Sequence, residues 1–321
     1  MDRLIKKTVI LAEVEATRYT DAAPTGADNA VRAFDMAITY LDAQAVEIPY
    51  IAAYLGASAL LQGAAPIKCS FSVALSASGT AGTAPALGTL LLACAMSESS
   101  GLTSPARVEY LPASDDLQTV TLYWYDDGAL HKALGVIGNA KLSAKGGESA
   151  KITYDFLGLD GGISAATNVS QTLTAWKDPV PLTKANVTDI TIGGTFSAGA
   201  VTGGTTYNST GLTLDFANEL GFAALLNQEK TVLKDRKVVG TTSLELTAAQ
   251  EVSLAADVVA GTKRSVAFTI GKTTGAKCLI WLPSARFTKP KKEEFEGLRM
   301  IGYDLRAEPV SGNDEARLVF L

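Results

Sequence analysis

Ile67-Lys68-Cys69-Ser70-Phe71-Ser72-Val73-Ala74-Leu75 alternates apolar side chains with small or polar ones. Successive side chains of an extended strand point to opposite faces. This run therefore predicts a strand that buries Ile67, Cys69, Phe71, Val73 and Leu75 on one face. The same period of two returns along the chain, in Val120, Leu122 and Trp124, in Ile152, Tyr154 and Phe156, and in Leu212, Leu214 and Phe216. It returns again in Leu244 and Leu246, and in Val266, Phe268 and Ile270. One-sided alternation is the pattern of antiparallel sheets lying on a core. Asp126-Asp127-Gly128, between Trp124-Tyr125 and Ala129-Leu130, predicts a hairpin turn because glycine accepts a positive φ.

Two segments leave that period and predict helices. Residues 84–94 follow Thr83, a candidate N-cap, and hold Pro85 in the first turn, where a missing N–H costs little. Their apolar side chains cover most of the circumference, so this helix is expected to pack on two sides. Residues 248–260 follow Thr247 and end at Gly261, a natural helix stop.

The helices expose a repeat. Leu41-Asp42, a loop, strand 67–75 and helix 84–94 are matched by Leu214-Asp215, a loop, strand 241–247 and helix 248–260. The offset is 173 both from Leu41 to Leu214 and from Phe71 to Leu244. Strands 119–125, 131–143 and 151–159 then answer strands 265–271, 277–289 and 297–308. Tyr154-Asp155 matches Tyr303-Asp304. The expected fold is mainly β: two tandem barrel or sandwich domains, each with one flanking helix. The predicted division is an N-terminal arm over 1–30, a first domain over 31–165, a linker over 166–182 and a second domain over 183–321.

A length of 321 residues accommodates two domains, and 47% hydrophobic residues suffice for sizeable cores. Charged residues are 19%, below the ~25% of an average soluble protein, which suits large contact surfaces and not a disordered chain. A net charge of −5 lacks the basic footprint of a nucleic-acid binder. Cys69, Cys94 and Cys278 form no CxxC pair, which predicts buried thiols and neither a zinc site nor a redox pair. Residues 1–11 lack the apolar core of a signal peptide, and the longest apolar stretch, 86–96, is far short of the ~20 residues that span a bilayer. A soluble chain made in the cytoplasm is expected.

No catalytic, cofactor or metal residues are predicted. His131 is the single histidine, and a triad or a metal site needs partners for it. Gly271-Lys272-Thr273-Thr274 resembles the end of a phosphate-binding loop, but Val266 stands where that loop needs glycine. Asp115-Asp116 and Asp126-Asp127 read as solvated turn acids. Lys289-Pro290-Lys291-Lys292-Glu293-Glu294 reads either as a solvated hairpin tip or as a run that pairs across a subunit boundary.

Four segments resemble the tail tube (major tail) proteins of siphophages. They are the opening 7–17 with Thr20-Asp21-Ala22-Ala23-Pro24-Thr25-Gly26-Ala27; the run 71–88 with the Leu-rich helix; Val108-Glu109-Tyr110-Leu111-Pro112 with Val120-Thr121-Leu122-Tyr123-Trp124 and Asp127-Gly128-Ala129-Leu130-His131-Lys132; and Ser311-Gly312-Asn313-Asp314-Glu315. The resemblance is densest over 65–160. It implies a chain that is not an enzyme, closes into rings and stacks into a hollow tube that DNA crosses unbound, away from any membrane. Combined with the repeat, it implies a trimeric, pseudo-hexameric ring. The implied partners are further copies of the chain, a tape measure protein, a tail terminator and a distal tail protein. Acidic side chains facing the lumen would let DNA slide. The apolar residues Ile48, Tyr50, Ile51, Tyr54 and Leu55 of loop 43–66, with Leu225 and Leu226 of loop 216–238, are the candidate self-assembly residues; contact with the next ring is expected of the loops, with the N-terminal arm and the linker adding to it, and the alternative is that the loops fold back on their own domain. The alternative is a β-sandwich binding or adhesin module, which needs an aromatic platform; Trp124, Trp176 and Trp281 are scattered in sequence.

Overall fold

A computed structural model describes residues 3–43, 45–51 and 53–321. The first half carries β1 (Thr8–Val14), β2 (Ala30–Val31), β3 (Ala33–Thr39), β4 (Ala45–Ile48), β5 (Ala59–Gln62), β6 (Pro66–Ala74), helix α1 (Gly88–Ala93), β7 (Met96–Leu102), β8 (Arg107–Pro112), β9 (Val120–Asp126), β10 (Ala129–Lys145) and β11 (Lys151–Ala165). The second carries β12 (Val187–Ile192), β13 (Thr195–Ser197), β14 (Ala200–Thr202), β15 (Thr205–Tyr207), β16 (Ser209–Asp215), β17 (Asn218–Leu225), β18 (Gln228–Arg236), β19 (Val239–Glu245), helix α2 (Ala248–Ala260), β20 (Lys263–Ile270), β21 (Cys278–Phe295), β22 (Leu298–Ala307) and β23 (Arg317–Phe320).

Every strand pairing is antiparallel, and the two halves follow one order. The first runs β2-β1-β9-β10-β11-β6-β3. The second runs β15-β12-β20-β21-β22-β19-β16. Hairpin β4–β5 joins β3 to β6, as hairpin β17–β18 joins β16 to β19, and each helix follows the next strand.

The long strands turn each sheet into a sandwich. β10 shifts register between His131 and Ala133 and again between Leu134 and Ile137, and Gly135 there has a φ of 58°. Bulges of this kind bend a strand from one layer into the other. Phe71, Leu90, Leu91, Leu122 and Tyr154 fill the first core, and Leu244, Ile280 and Leu282 belong to the second. One apolar cluster runs through both. Among the described residues the pairings branch without closing a circuit, so the architecture is a sandwich and not a closed barrel.

Several expectations change in detail. Within the expected arm, residues 8–14 form β1, paired to β9 over its whole length, because Val9, Ile10, Leu11 and Ala12 have core to bury; residues 1–2 lie outside the described residues. Helix α1 covers only Gly88–Ala93 and its N-cap is Leu87 with no side-chain cap, so Thr83 plays no such part. Helix α2 has the expected bounds: Thr247 and Gln250 form a reciprocal capping box, and Gly261 stops the helix with a φ of 64°. The two long loops are mostly hairpin, β4–β5 and β17–β18. The repeat also slips: Tyr154 pairs with Phe71, and Tyr303 pairs with Thr242, not with Leu244. A slip of two residues keeps every side chain on its face, so alternation alone does not register it.

Tyr154 is fully buried, stacked at 5.5 Å on Phe156, and its Oη has no hydrogen-bond partner among the described residues. An unpaired buried hydroxyl costs about 1–3 kcal/mol. Tyr154→Phe is expected to raise stability by about 1 kcal/mol, measured as a higher denaturant midpoint at unchanged slope. A lower midpoint would mean that the hydroxyl is satisfied.

Candidate assembly surfaces

Among the described residues, two strand seams join the two halves. In the first, the outer part of β10 pairs with β16, from Lys141 opposite Asp215 to Lys145 opposite Gly211. In the second, β8 pairs with β23, which lies beside the start of β21. Glu109 is buried at this second seam, where it accepts hydrogen bonds from Arg107 at 2.6 Å and Arg317 at 2.9 Å. The closing segment also has a structural place: Glu315 binds Arg236 of β18 at 2.6 Å, and both side chains are largely buried.

The first seam makes one continuous sheet, β3-β6-β11-β10-β16-β19-β22-β21. Its two ends are open. Among the described residues β3 pairs with β6 alone, and β21 beyond Thr288 pairs with β22 alone. The run Lys289-Pro290-Lys291-Lys292-Glu293-Glu294 is thus the outer edge of the sheet. Charge and proline are common guards on such edges, because they deter indiscriminate pairing.

One face of this sheet covers the cores, and the other is polar. The polar face has two shallow hollows of about 660 and 730 Å³, lined by Ser143, Thr213, Thr241, Ser243, Lys289 and Asp304, among others. Lys141 binds Asp155 at 2.8 Å, and Lys289 binds Asp304 at 3.0 Å. The two acids correspond in the repeat, Tyr154-Asp155 to Tyr303-Asp304, while the lysines do not: Lys289 lies at the β21 bulge between Thr288 and Lys291. The hydrogen bond to Asp155 holds the Lys141 ammonium above its ordinary pKa. Cross-strand hydroxyl pairs extend the surface: Ser72 with Thr153 at 2.8 Å, and Thr213 with Thr241 at 2.7 Å. The face therefore interleaves cations and anions.

The candidate assembly residues fall on two separate hairpins. Tyr50, Ile51, Tyr54 and Leu55 lie in the turn of β4–β5, strongly exposed, while Ile48 at the end of β4 is half-buried. Leu225 and Leu226 stand at the tip of β17–β18, also exposed. The sequence reading passed over Val46, Leu60 and Leu61 on the first hairpin, Phe295 and Leu298 at the β21–β22 turn, and Val252 and Val259 on α2, all exposed.

The two hairpins differ in their surroundings. β17–β18 lies across β10 and β11 of the first half. Asn218 donates from Nδ2 to the carbonyls of Cys94 and Gly138, each at 2.9 Å, and Thr231 donates from Oγ1 to the Gly135 carbonyl at 2.6 Å. β4–β5 has no comparable seat on any other element among the described residues.

The sites weighed for chemistry have structural surroundings. His131 is buried on β10, its ring stacked 4.9 Å from Trp124, and burial lowers its pKa. Cys69, Cys94 and Cys278 are buried free thiols, and burial pushes Cys69 and Cys278 up to about 12. Trp124, Trp176 and Trp281 are each buried and form no platform. Among the described residues no group of three or more His, Cys, Asp or Glu side chains is placed to hold a metal, and no helix is long and apolar enough to cross a membrane.

A twofold β-sandwich with open sheet edges and an unseated apolar hairpin has the surfaces of a structural subunit. The sequence matches the family model described as phage tail tube protein over residues 6–314, and the chain belongs to that family. It is a structural protein of the virion tail, a subunit of a self-assembling tube. No curated protein matches the sequence.

Proposed function

We propose that the chain polymerises in the host cytoplasm into the tail tube of a long-tailed siphovirus, as stacked trimeric rings through which DNA leaves the virion. The observation that carries this reading is the β10–β16 seam and the two open edges that would form its counterpart. β3 occupies in the first half the place of β16 in the second. The outer part of β21 occupies the place of the outer part of β10. Each chain is read as a duplicated domain, divided at 166–182, with one seam made internally and both halves of the next left open. Head-to-tail pairing of β3 with β21 of another copy repeats the internal seam, and such contacts close when their rotation divides the circle. Three chains supply six repeats.

The register follows. Matching Tyr154 to Tyr303 puts residues 141–145 on 291–295. Asp35 (φ 55°) and Gly211 (φ 138°) are the positive-φ residues at the two equivalent bulges, which puts 35–39 on 211–215. Thr39 is then opposite Lys291 of the neighbour, and Asp35 opposite Phe295. Electron microscopy of concentrated protein tests the reading: rings and hollow tubes are expected, with isolated rings weighing three chains. Discrete monomers at every concentration would sink it, and six-chain rings would remove the duplication from it.

In this assembly the polar sheet face lines the lumen. Lys141 and Lys289 are engaged there by Asp155 and Asp304, which lowers the free positive charge that phosphates can grip. Exposed pairs of this type contribute only ~0–1 kcal/mol to folding. Asp155→Asn with Asp304→Asn should therefore assemble normally while freeing Lys141 and Lys289. Tubes of this variant are expected to retain duplex DNA at low salt and release it as salt rises. Equal retention by wild-type and variant tubes would contradict the assignment of the face. A tape measure protein, a terminator and a distal tail protein are the further partners proposed, by analogy with the family.

A further inference from the structure

We infer that hairpin β4–β5 docks on the lateral neighbour within its own ring, against helix α2 and the bend of β21, and not on the next ring. This rests on the ring proposed above and deepens it.

The chain holds one worked example of the contact. β16 pairs with the outer part of β10, and the hairpin that leaves β16, β17–β18, falls across β10. A hairpin is tied to its strand, so it emerges beside whatever that strand pairs with. β17–β18 settles where α1 ends and β10 bends: Asn218 reaches the carbonyl of Cys94, the residue that closes α1, and that of Gly138 in β10. The counterpart of Cys94 is Gly261, which closes α2. The counterpart of Gly138 is Phe287, since Gly138 pairs with Phe156 as Phe287 pairs with Leu305.

This counterpart surface is bare. Among α2 residues only Leu254 is buried, and Val252 and Val259 are 70% and 91% exposed. Hairpin β4–β5 carries the matching apolar side chains, among them Tyr50, Ile51, Leu55 and Leu61. Two exposed apolar surfaces that the repeat places together remove each other from water. The polar detail differs from the internal example, because Arg286 already donates to the Gly261 carbonyl at 2.9 Å. The expected contact is therefore more apolar than the internal one. The occupant is a second copy of this chain.

The test joins Ile51→Cys and Val259→Cys in one chain. All three native cysteines are buried, so the new thiols are the accessible ones. Assembled tubes are treated with a short bis-maleimide, denatured and sized. Lateral docking predicts linked species that stop at the ring size. A ladder running past the ring size means contact between rings and overturns the inference while leaving the tube intact; absence of linkage in assembled tubes overturns it likewise. Should the double variant not assemble, hydrogen exchange on the wild type decides. Protection of 45–51, 53–62 and 248–260 already in isolated rings supports lateral docking, and protection appearing only in tubes refutes it. Failure of the wild type to form rings defeats the assembly reading itself, which microscopy detects first.

Discussion

Replacing Lys292 and Glu294 together by proline is expected to leave a folded chain that no longer forms rings. Glu296 and Gly297 both have positive φ, 49° and 80°, and form a two-residue turn between Phe295 and Leu298. The pair flanking such a turn exchanges both its backbone hydrogen bonds, and alternation then directs the N–H groups of Lys292 and Glu294 away from β22. The internal seam has the same phase: Phe216 donates to the Ala140 carbonyl and Gly146 donates to Thr210, so even-numbered residues of β10 face β16. Proline at 292 and 294 removes donors that only a neighbour uses. Each carbonyl left unpaired in a buried seam costs about 1–3 kcal/mol, so two weaken the seam at least ~10-fold. Ring formation should fail by microscopy while the thermal midpoint of the monomer moves little. Normal tubes from this variant would show that β21 is not a ring edge.

The second large effect is on folding. Phe71→Ala is expected to destabilise the chain by roughly 3–5 kcal/mol, as truncation of a buried phenylalanine does. Phe71 is fully buried, with ring centroids 5.4 Å from Phe156 and 6.1 Å from Tyr154. It sits on β6 where β6 pairs with both β3 and β11, so the cavity opens inside the continuous sheet. Leu91 and Leu122 also belong to this close-packed core. The midpoint of thermal unfolding should fall by roughly 4–7 °C, followed by circular dichroism. A fall of only a degree or two would mean that the core collapses to fill the space.

Both effects concern features of different legibility. Phe71 was readable as a core residue from its neighbours alone, since Cys69, Phe71 and Val73 keep one face in any sheet. Helix α2 was equally readable, because Thr247, Gln250 and Gly261 act within one turn of the helix ends. Helix α1 starts later than its apolar run: Ala84 and Pro85 lie outside regular structure and Ala86 and Leu87 in a turn, and the burial of Pro85 and Leu87 reflects tertiary packing. Turn residues at 20–26 point to an N-terminal arm, yet β1 is paired on both sides, to β9 and to β2. Of the assembly surfaces, the hairpin with Tyr50, Ile51, Tyr54 and Leu55 was visible as apolar residues in an overlong connection, and the run 289–294 as one of two readings. The open edge of β3 and the bare face of α2 were not.

By itself, the sequence determined core strands such as 67–75, 120–124 and 152–156, where α2 starts and stops, and which face of each of those strands is apolar. These follow from side-chain alternation, capping chemistry and glycine's backbone freedom, all of which act over a few residues. Tertiary structure alone decided that β10 pairs with β16, that β23 joins β8 to β21, that Glu109 and Glu315 are buried in ion pairs, and that β3 and the outer part of β21 are left open. Those are choices among strands far apart in the chain, with equivalent local patterns. They are settled by which pairings bury the most apolar surface together, and no single strand carries that information.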